Sequence, residues 1–331
     1  MSELRIGLIG GTGLGEALGA EGGVRHEVDT PFGRPSDAIV ECEWAGAKTL
    51  VLPRHGPGHV LNPAQVPYRA NIFALKKLGC THILASGAVG SLREEFKPRD
   101  LVVVDQVIDK TWGRANTFFE RAAVHVELAE PFDTVLRQMV VEAGKGSGFG
   151  VQGPGDSKSS ASPPSPGAAG EGEGHVHDGG CYVCMEGPAF STRAESLMHR
   201  LWGGDLIGMT AMPEAKLARE AEIPYALIAL VTDYDCWRGK PASAEPLENR
   251  KTDPLVLLKE ILANVKSASA NAITLMRKTV ELMAANPQRL EACPAQHALQ
   301  LGIWSDKSKI DPQEVERLRP LWGKYFESSG T

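Results

Sequence analysis

Tyr225-Ala226-Leu227-Ile228-Ala229-Leu230-Val231 is an unbroken apolar run that ends directly in Thr232-Asp233-Tyr234-Asp235. A run this short and this uniformly apolar reads as a strand covered on both faces. Just upstream, Leu217, Ala218 and Ala221 recur at helical spacing within Pro213–Glu222. Helix followed by buried strand is the repeating unit of an α/β fold. In open α/β sheets, ligands gather where strands end at their carboxyl termini, which makes Asp233 and Asp235 candidates for chemistry. Two close, buried carboxylates repel, so one can keep its proton near neutral pH and act as a donor. A helix N-cap is the competing reading for either residue.

The same alternation extends outward in both directions. Leu4–Ile9, Thr49–Leu52, His82–Ala85, Leu101–Val104, Tyr182–Met185 and Asp205–Met209 read as further buried strands. Tyr68–Leu78, Phe132–Glu142 and Ser191–Trp202 read as helices between them, and Asp253-Pro254 opens a long helix reaching about Met283. The expectation is one α/β domain over residues 1–286, with a twisted mixed central sheet flanked by helices. Residues 145–180, dominated by Gly, Ser and Pro, offer little to bury and are expected to form a mobile insertion. His175 and His177 are expected to be solvated members of it. Residues 287–331 carry two more helical patterns, Gln288–Leu299 and Pro312–Phe326, and are expected to form a helical extension.

The 331 residues carry 35 Lys and Arg against 41 Asp and Glu, a formal net charge of −6. A mildly acidic chain without a basic block is poorly suited to nonspecific nucleic-acid binding. No run approaches the roughly 20 apolar residues needed to span a bilayer, and the amino terminus lacks the pattern of a secretory leader. Six Cys in this length do not make a disulfide framework, so the expected compartment is the cytoplasm.

Four further blocks sit at strand ends. Gly10-Gly11-Thr12-Gly13-Leu14-Gly15 follows the first strand and favours a phosphate-binding turn. A dinucleotide fingerprint is its rival, with Asp29 near the acidic spacing. However, residues 16–23 contain three glycines and are too short for the helix that fingerprint requires. Arg54-His55-Gly56-Pro57-Gly58-His59 offers a guanidinium and two imidazoles, fit for an anion or merely solvated. Ser86-Gly87-Ala88-Val89-Gly90-Ser91 is either a loop that lets a ligand reach backbone N–H groups or a plain tight turn. In residues 185–195, Phe190 lies between a Gly-Pro turn and a helix and could stack on a base or join the core. Cys181-x-x-Cys184 has no second metal-binding pair, and positions i and i+3 of a strand face opposite sides, so no metal site is assigned.

Taken together the blocks resemble the methylthioadenosine phosphorylase branch of the trimeric purine nucleoside phosphorylases. The stretches are IGLIGGTGL (6–14), VDTPFGRPSD (28–37), LPRHGPGH (52–59), NPAQVPYRANIFALKKLGCTHI (62–83), GSLREE (90–95), MEGPAFSTRAES (185–196) and LVTDYDCW (230–237). The resemblance covers about Arg5 to Met283, apart from 145–180, and implies a single-domain phosphorylase-type fold and a homotrimer. It implies phosphorolysis of S-methyl-5′-thioadenosine to adenine and 5-methylthioribose 1-phosphate. Inorganic phosphate is then the co-substrate, with no metal or organic cofactor. A phosphorylase of broader or 6-oxopurine specificity is the alternative.

Residue by residue, the resemblance implies phosphate-binding roles for Thr12, Arg54, His55, Ala88 and Thr210. It places Phe190 and Met209 beside purine and ribose, His59 near the 5′ substituent, and His125 as a residue lent by a neighbouring subunit. Asp233 and Asp235 match the pair that recognises a 6-aminopurine, and with His55 are the expected catalytic groups. Ser191 stands where 6-oxopurine branches carry Glu, which favours adenine. Thr252, Leu255 and Val256 should flank the methylthio pocket. Gly87 stands where the branch usually has a phosphate-binding Thr, so one hydroxyl contact is lost and weaker phosphate binding is expected.

Overall fold

A computed structural model describes residues 3–11, 22–153, 174–238 and 254–327. The strands are β1 (Arg5–Gly10), β2 (Val24–His26), β3 (Ile39–Trp44), β4 (Ala47–Pro53), β5 (His82–Ser91), β6 (Leu101–Val103), β7 (Gln106–Lys110), β8 (Val151–Gln152), β9 (Val176–Asp178), β10 (Cys181–Met185), β11 (Leu206–Gly208) and β12 (Tyr225–Tyr234). The helices are α1 (Tyr68–Lys77), α2 (Thr134–Lys145), α3 (Arg193–Leu201), α4 (Ala211–Glu220), α5 (Pro254–Ala285), α6 (Pro312–Arg317) and α7 (Arg319–Trp322).

All these strands belong to one sheet, whose main path runs β2-β3-β4-β1-β5-β12-β6-β9-β8. The centre, β4-β1-β5-β12, is parallel, whereas β3–β4, β12–β6 and β5–β11 are antiparallel. The sheet is therefore mixed, as expected.

Alternation along the central strands builds the two cores. In β12, Tyr225, Leu227, Ala229 and Val231 join the cluster holding Ile72 and Phe73 of α1 and Leu217 of α4. Ala226, Ile228 and Leu230 point to the other face, against Leu136 and Met139 of α2 and Leu275 and Met276 of α5. Both faces of the strand are thus covered, which is why it carries no polar residue until Thr232.

Three differences from the sequence reading matter. The block Ser86–Ser91 is no turn: β5 continues through it, because β12 runs alongside to Tyr234 and β11 pairs with Gly90 and Ser91. Its glycines mark a strand that other groups approach closely. The ends of the 145–180 segment are also strands, β8 and β9. Val176 is fully buried, and His177, 5% exposed, bonds through Nε2 to Asp100 at 2.8 Å, so His177 is not a solvated residue. Strands β2, β3 and β7 lacked the unbroken apolar runs that marked the central ones, since only Ile39 and Trp44 among their residues are buried.

The segment 287–327 joins the same core. Leu299, Ile310, Leu318, Leu321 and Trp322 pack in the cluster that covers one sheet face. Its first helical pattern is two short 3₁₀ turns, Pro287–Ala292 and Pro294–His297, because Pro294 in its middle has no N–H to continue a helix.

Candidate active site

The site is built where β1, β4, β5 and β12 end side by side. Arg54 follows the last residue of β4, and its N–H donates to Gly10 O at the end of β1. Its guanidinium is 1% exposed, a position tolerable only with full pairing. Nε and Nη2 each donate at 2.8 Å to the carboxylate of Glu214, which is fully buried on α4, and Nη1 donates at 2.8 Å to Ser86 O. Tyr225 Oη also donates to Glu214, at 2.8 Å. Desolvation opposes the charge on Arg54, but the facing carboxylate overrides it and the guanidinium stays protonated. Three of its five N–H groups are thereby used. The other two have no acceptor among the described residues.

Nη1 lies beside a glycine. A side-chain carbon added at Gly87 would stand 3.2 Å from Thr210 Oγ1 and 4.0 Å from Arg54 Nη1. Gly87 therefore leaves open a recess bounded by a guanidinium and a hydroxyl, beside the exposed Ala88. His55 borders the same turn, its Nδ1 2.8 Å from Leu61 O and its ring stacked on His59 at 4.2 Å. Burial, with Arg54 beside it, pushes the His55 imidazole down to about 4, so it is neutral at physiological pH. His59 is itself exposed.

The second half lies at the end of β12. A bulge separates Val231, opposite Val89, from Asp233, opposite Gly90. Residues two apart thus sit opposite consecutive partners, so the pleat changes phase and Asp233 leaves the core-facing row. Thr232 Oγ1 donates to Asp233 Oδ1 at 2.6 Å. Burial, and then the charge of Asp235, raises the Asp233 carboxyl above its ordinary range. Asp235 is tied by its N–H to Ser91 O at 2.9 Å, and its Oδ2 accepts from the Ser196 hydroxyl.

The remaining predicted residues surround this pair unevenly. Ser191 Oγ lies 3.6 Å from Met185 Sδ, and its carbonyl accepts from Cys236. Phe190 is 86% exposed, so it is no core residue. Met209 packs over Gly187, where an added side-chain carbon would lie 2.5 Å from its sulfur. Gly187 also has φ +67°, which glycine alone adopts without strain. His125 is exposed, its ring tilted against Trp304 of the carboxy-terminal segment with centroids 4.5 Å apart. Thr12 and Thr252 lie outside the described residues, as do the side chains of Leu255 and Val256.

Four residues of evident structural weight went unassigned from sequence. Glu214 and Tyr225 complete the Arg54 site, yet a Glu within a helix pattern and a Tyr opening a strand carry no signal of their own. Ser196 lies one turn into α3. Arg114, in a segment without periodicity, donates to the carbonyls of Glu186 (2.6 Å), Met209 (2.7 Å) and Met212 (2.6 Å). It thereby clamps the turn before Phe190 to the strand end carrying Met209 and Thr210.

Comparison with known proteins identifies the family. The family described as the Phosphorylase superfamily matches residues 5–280. The chain is 41% identical over 325 residues to an S-methyl-5′-thioadenosine phosphorylase of Gloeobacter violaceus, covering 98% of this chain and 96% of that one. It is 42% identical over 323 residues to the enzyme of the same name from Geobacter sulfurreducens, covering 97% and 98%. A methylthioadenosine phosphorylase from an antarctic soil metagenomic library superposes with a TM-score of 0.80 at 36% identity, over 97% of this chain and 99% of that one. The Schistosoma mansoni methylthioadenosine phosphorylase in complex with tubercidin gives 0.76 at 36% identity, over 91% and 99%. With matches this extensive, the chain belongs to the phosphorylase superfamily, within its methylthioadenosine phosphorylase branch.

Proposed function

We propose that the protein cleaves S-methyl-5′-thioadenosine with inorganic phosphate, a pentosyl transfer that releases adenine and 5-methylthioribose 1-phosphate. The observation that carries this reading is one recess with two chemistries. A buried guanidinium with spare N–H groups borders Gly87 and Thr210, and a carboxyl pair stands on the adjoining strand.

Phosphate takes the first half, held by Arg54, Thr210, the Ala88 backbone, His55 and Thr12. As the glycosidic bond stretches, positive charge grows on the ribose and the phosphate stabilises it before attacking the anomeric carbon. The leaving purine gains negative charge at N7, where protonated Asp233 donates, while Asp235 accepts from the 6-amino group. Phe190 and Met209 flank base and sugar, Ser191 faces the base, and His59 lies toward the 5′ substituent. The chemistry requires no metal or organic cofactor.

His125 is assigned to a neighbouring subunit's site within a homotrimer. In support, its ring packs against Trp304 of the carboxy-terminal segment, and Leu197 and Leu201 of α3 and Trp202 just beyond it are exposed. A cytoplasmic location fits six cysteines without a disulfide.

The decisive assay is adenine release from S-methyl-5′-thioadenosine with and without phosphate, beside an inosine control. Phosphate-dependent release of adenine, with inosine inert, is the expected result. Release without phosphate would make the protein a hydrolase, and cleavage of inosine alone would overturn the 6-amino assignment.

A further inference from the structure

The two carboxylates at the end of β12 are not held alike. Thr232 has one hydroxyl proton and two acceptors in reach, Asp233 Oδ1 at 2.6 Å and Val89 O at 3.2 Å. Ser196 is fully buried and directs its hydroxyl to Asp235 Oδ2. Its position is rigid, because α3 opens with a capping box in which Thr192 and Glu195 satisfy each other's backbone N–H groups. The backbone beyond Asp235 is equally fixed, since Ser91 O accepts both Asp235 N–H and Trp237 Nε1–H (2.9 and 2.8 Å).

A hydroxyl donor on a carboxylate favours the ionised, acceptor-only form. With Oδ2 occupied by Ser196, Oδ1 has no partner among the described residues and is the oxygen left to receive a ligand's N–H. We infer that Ser196 is a positioning residue that keeps Asp235 in the acceptor role, and so makes the site select purines with a 6-amino group over those with a 6-oxo group. This deepens the proposed function and rests on it. An amino group presents a donor to Asp235 Oδ1, whereas a carbonyl presents a second acceptor and is repelled. Without Ser196 the Asp235 carboxylate is no longer held, so the contact that favours a 6-amino group weakens while Asp233 keeps the proton it donates at N7.

The test compares kcat/KM for S-methyl-5′-thioadenosine and for its 6-oxo counterpart, 5′-methylthioinosine, in wild type, Ser196→Ala and Ser196→Thr. Loss of a hydrogen bond to a charged group is expected to cut the 6-amino reaction about tenfold to a hundredfold in Ser196→Ala. The 6-oxo reaction should hold or rise, so the discrimination ratio falls by at least that factor. Ser196→Thr keeps the hydroxyl and should restore the ratio, and phosphate KM should stay unchanged in both. The ratio is decisive in whichever variant folds. An equal loss on both substrates, with the ratio intact, would overturn the inference and reduce Ser196 to packing, and so would a folded Ser196→Thr that fails to restore the ratio. A wild type that releases no adenine with phosphate present overturns the function itself instead.

Discussion

At the scale of single residues, Gly87 and Asp233 carry the sharpest consequences. Gly87 omits a hydroxyl from the recess formed by Arg54 and Thr210, and the space for one is nearly there. Only Thr210 Oγ1, 3.2 Å from the added carbon, must give by a few tenths of an ångström. A neutral hydrogen bond contributes about 0.5–1.5 kcal/mol net, so Gly87→Thr should lower the KM for phosphate roughly two- to tenfold. Initial rates at saturating nucleoside check this. Asp233 is raised by burial, then by Asp235, and it works as a donor only while protonated. Activity must therefore fall as pH rises through its pKa, a limb on the alkaline side. Asp233→Asn keeps an N–H donor but no titration. Its kcat should drop on the order of 10²-fold and that limb should vanish from the pH profile. Normal turnover by the variant would remove Asp233 from the mechanism.

At the scale of elements, α4 is the beam on which the anion site rests. Glu214 near its start neutralises Arg54, and both are buried, so removing one charge strands the other. Glu214→Gln should cost roughly 3–5 kcal/mol in denaturant unfolding and raise the phosphate KM of the folded fraction. At the other end, Glu220 accepts from Phe118 N–H and Thr117 Oγ1, yet burial outweighs both and lifts its carboxyl to about 7. A carboxyl raised in the folded state contributes stability that is complete below its unfolded pKa and lost as pH rises through the folded one. Unfolding free energy should thus decline between about pH 4.5 and 7, by an amount on the order of 3 kcal/mol from this group. Glu220→Gln, measured by urea titration across that range, should flatten that part of the slope.

At the scale of the whole molecule, the carboxy-terminal segment is part of the fold. Trp322 is fully buried and packs its ring 4.8 Å from Phe119, while Lys324 and Tyr325 bond to the buried Glu222 at 2.6 Å each. Val124, beside His125, bridges to Ile303, so this segment also positions the residue assigned to the neighbouring subunit. Trp322→Ala should destabilise the protein by about 3–5 kcal/mol in thermal or chemical unfolding, and truncation before Gly302 should release the 119–128 segment.

What the sequence determined by itself was the periodic and the chemical. Uninterrupted runs such as Tyr225–Val231 declared the buried central strands, because a strand covered on both faces can hold no polar side chain. Blocks of unusual composition at their ends placed Arg54, His55, Thr210, Asp233 and Asp235 correctly at the sheet's carboxyl edge. The half-exposed strands β3 and β7 stayed silent, and so did the continuation of β5 through Ser86–Ser91, whose glycines argue locally for a turn until β12 and β11 pair with them. Only the tertiary structure decided who holds the functional groups: Glu214 on Arg54 with Tyr225 on Glu214, Arg114 on the carbonyls of Glu186, Met209 and Met212, Ser196 on Asp235. Those partners lie between 11 and 160 positions apart in the chain, and no local pattern can report a hydrogen bond that exists only after distant elements have packed.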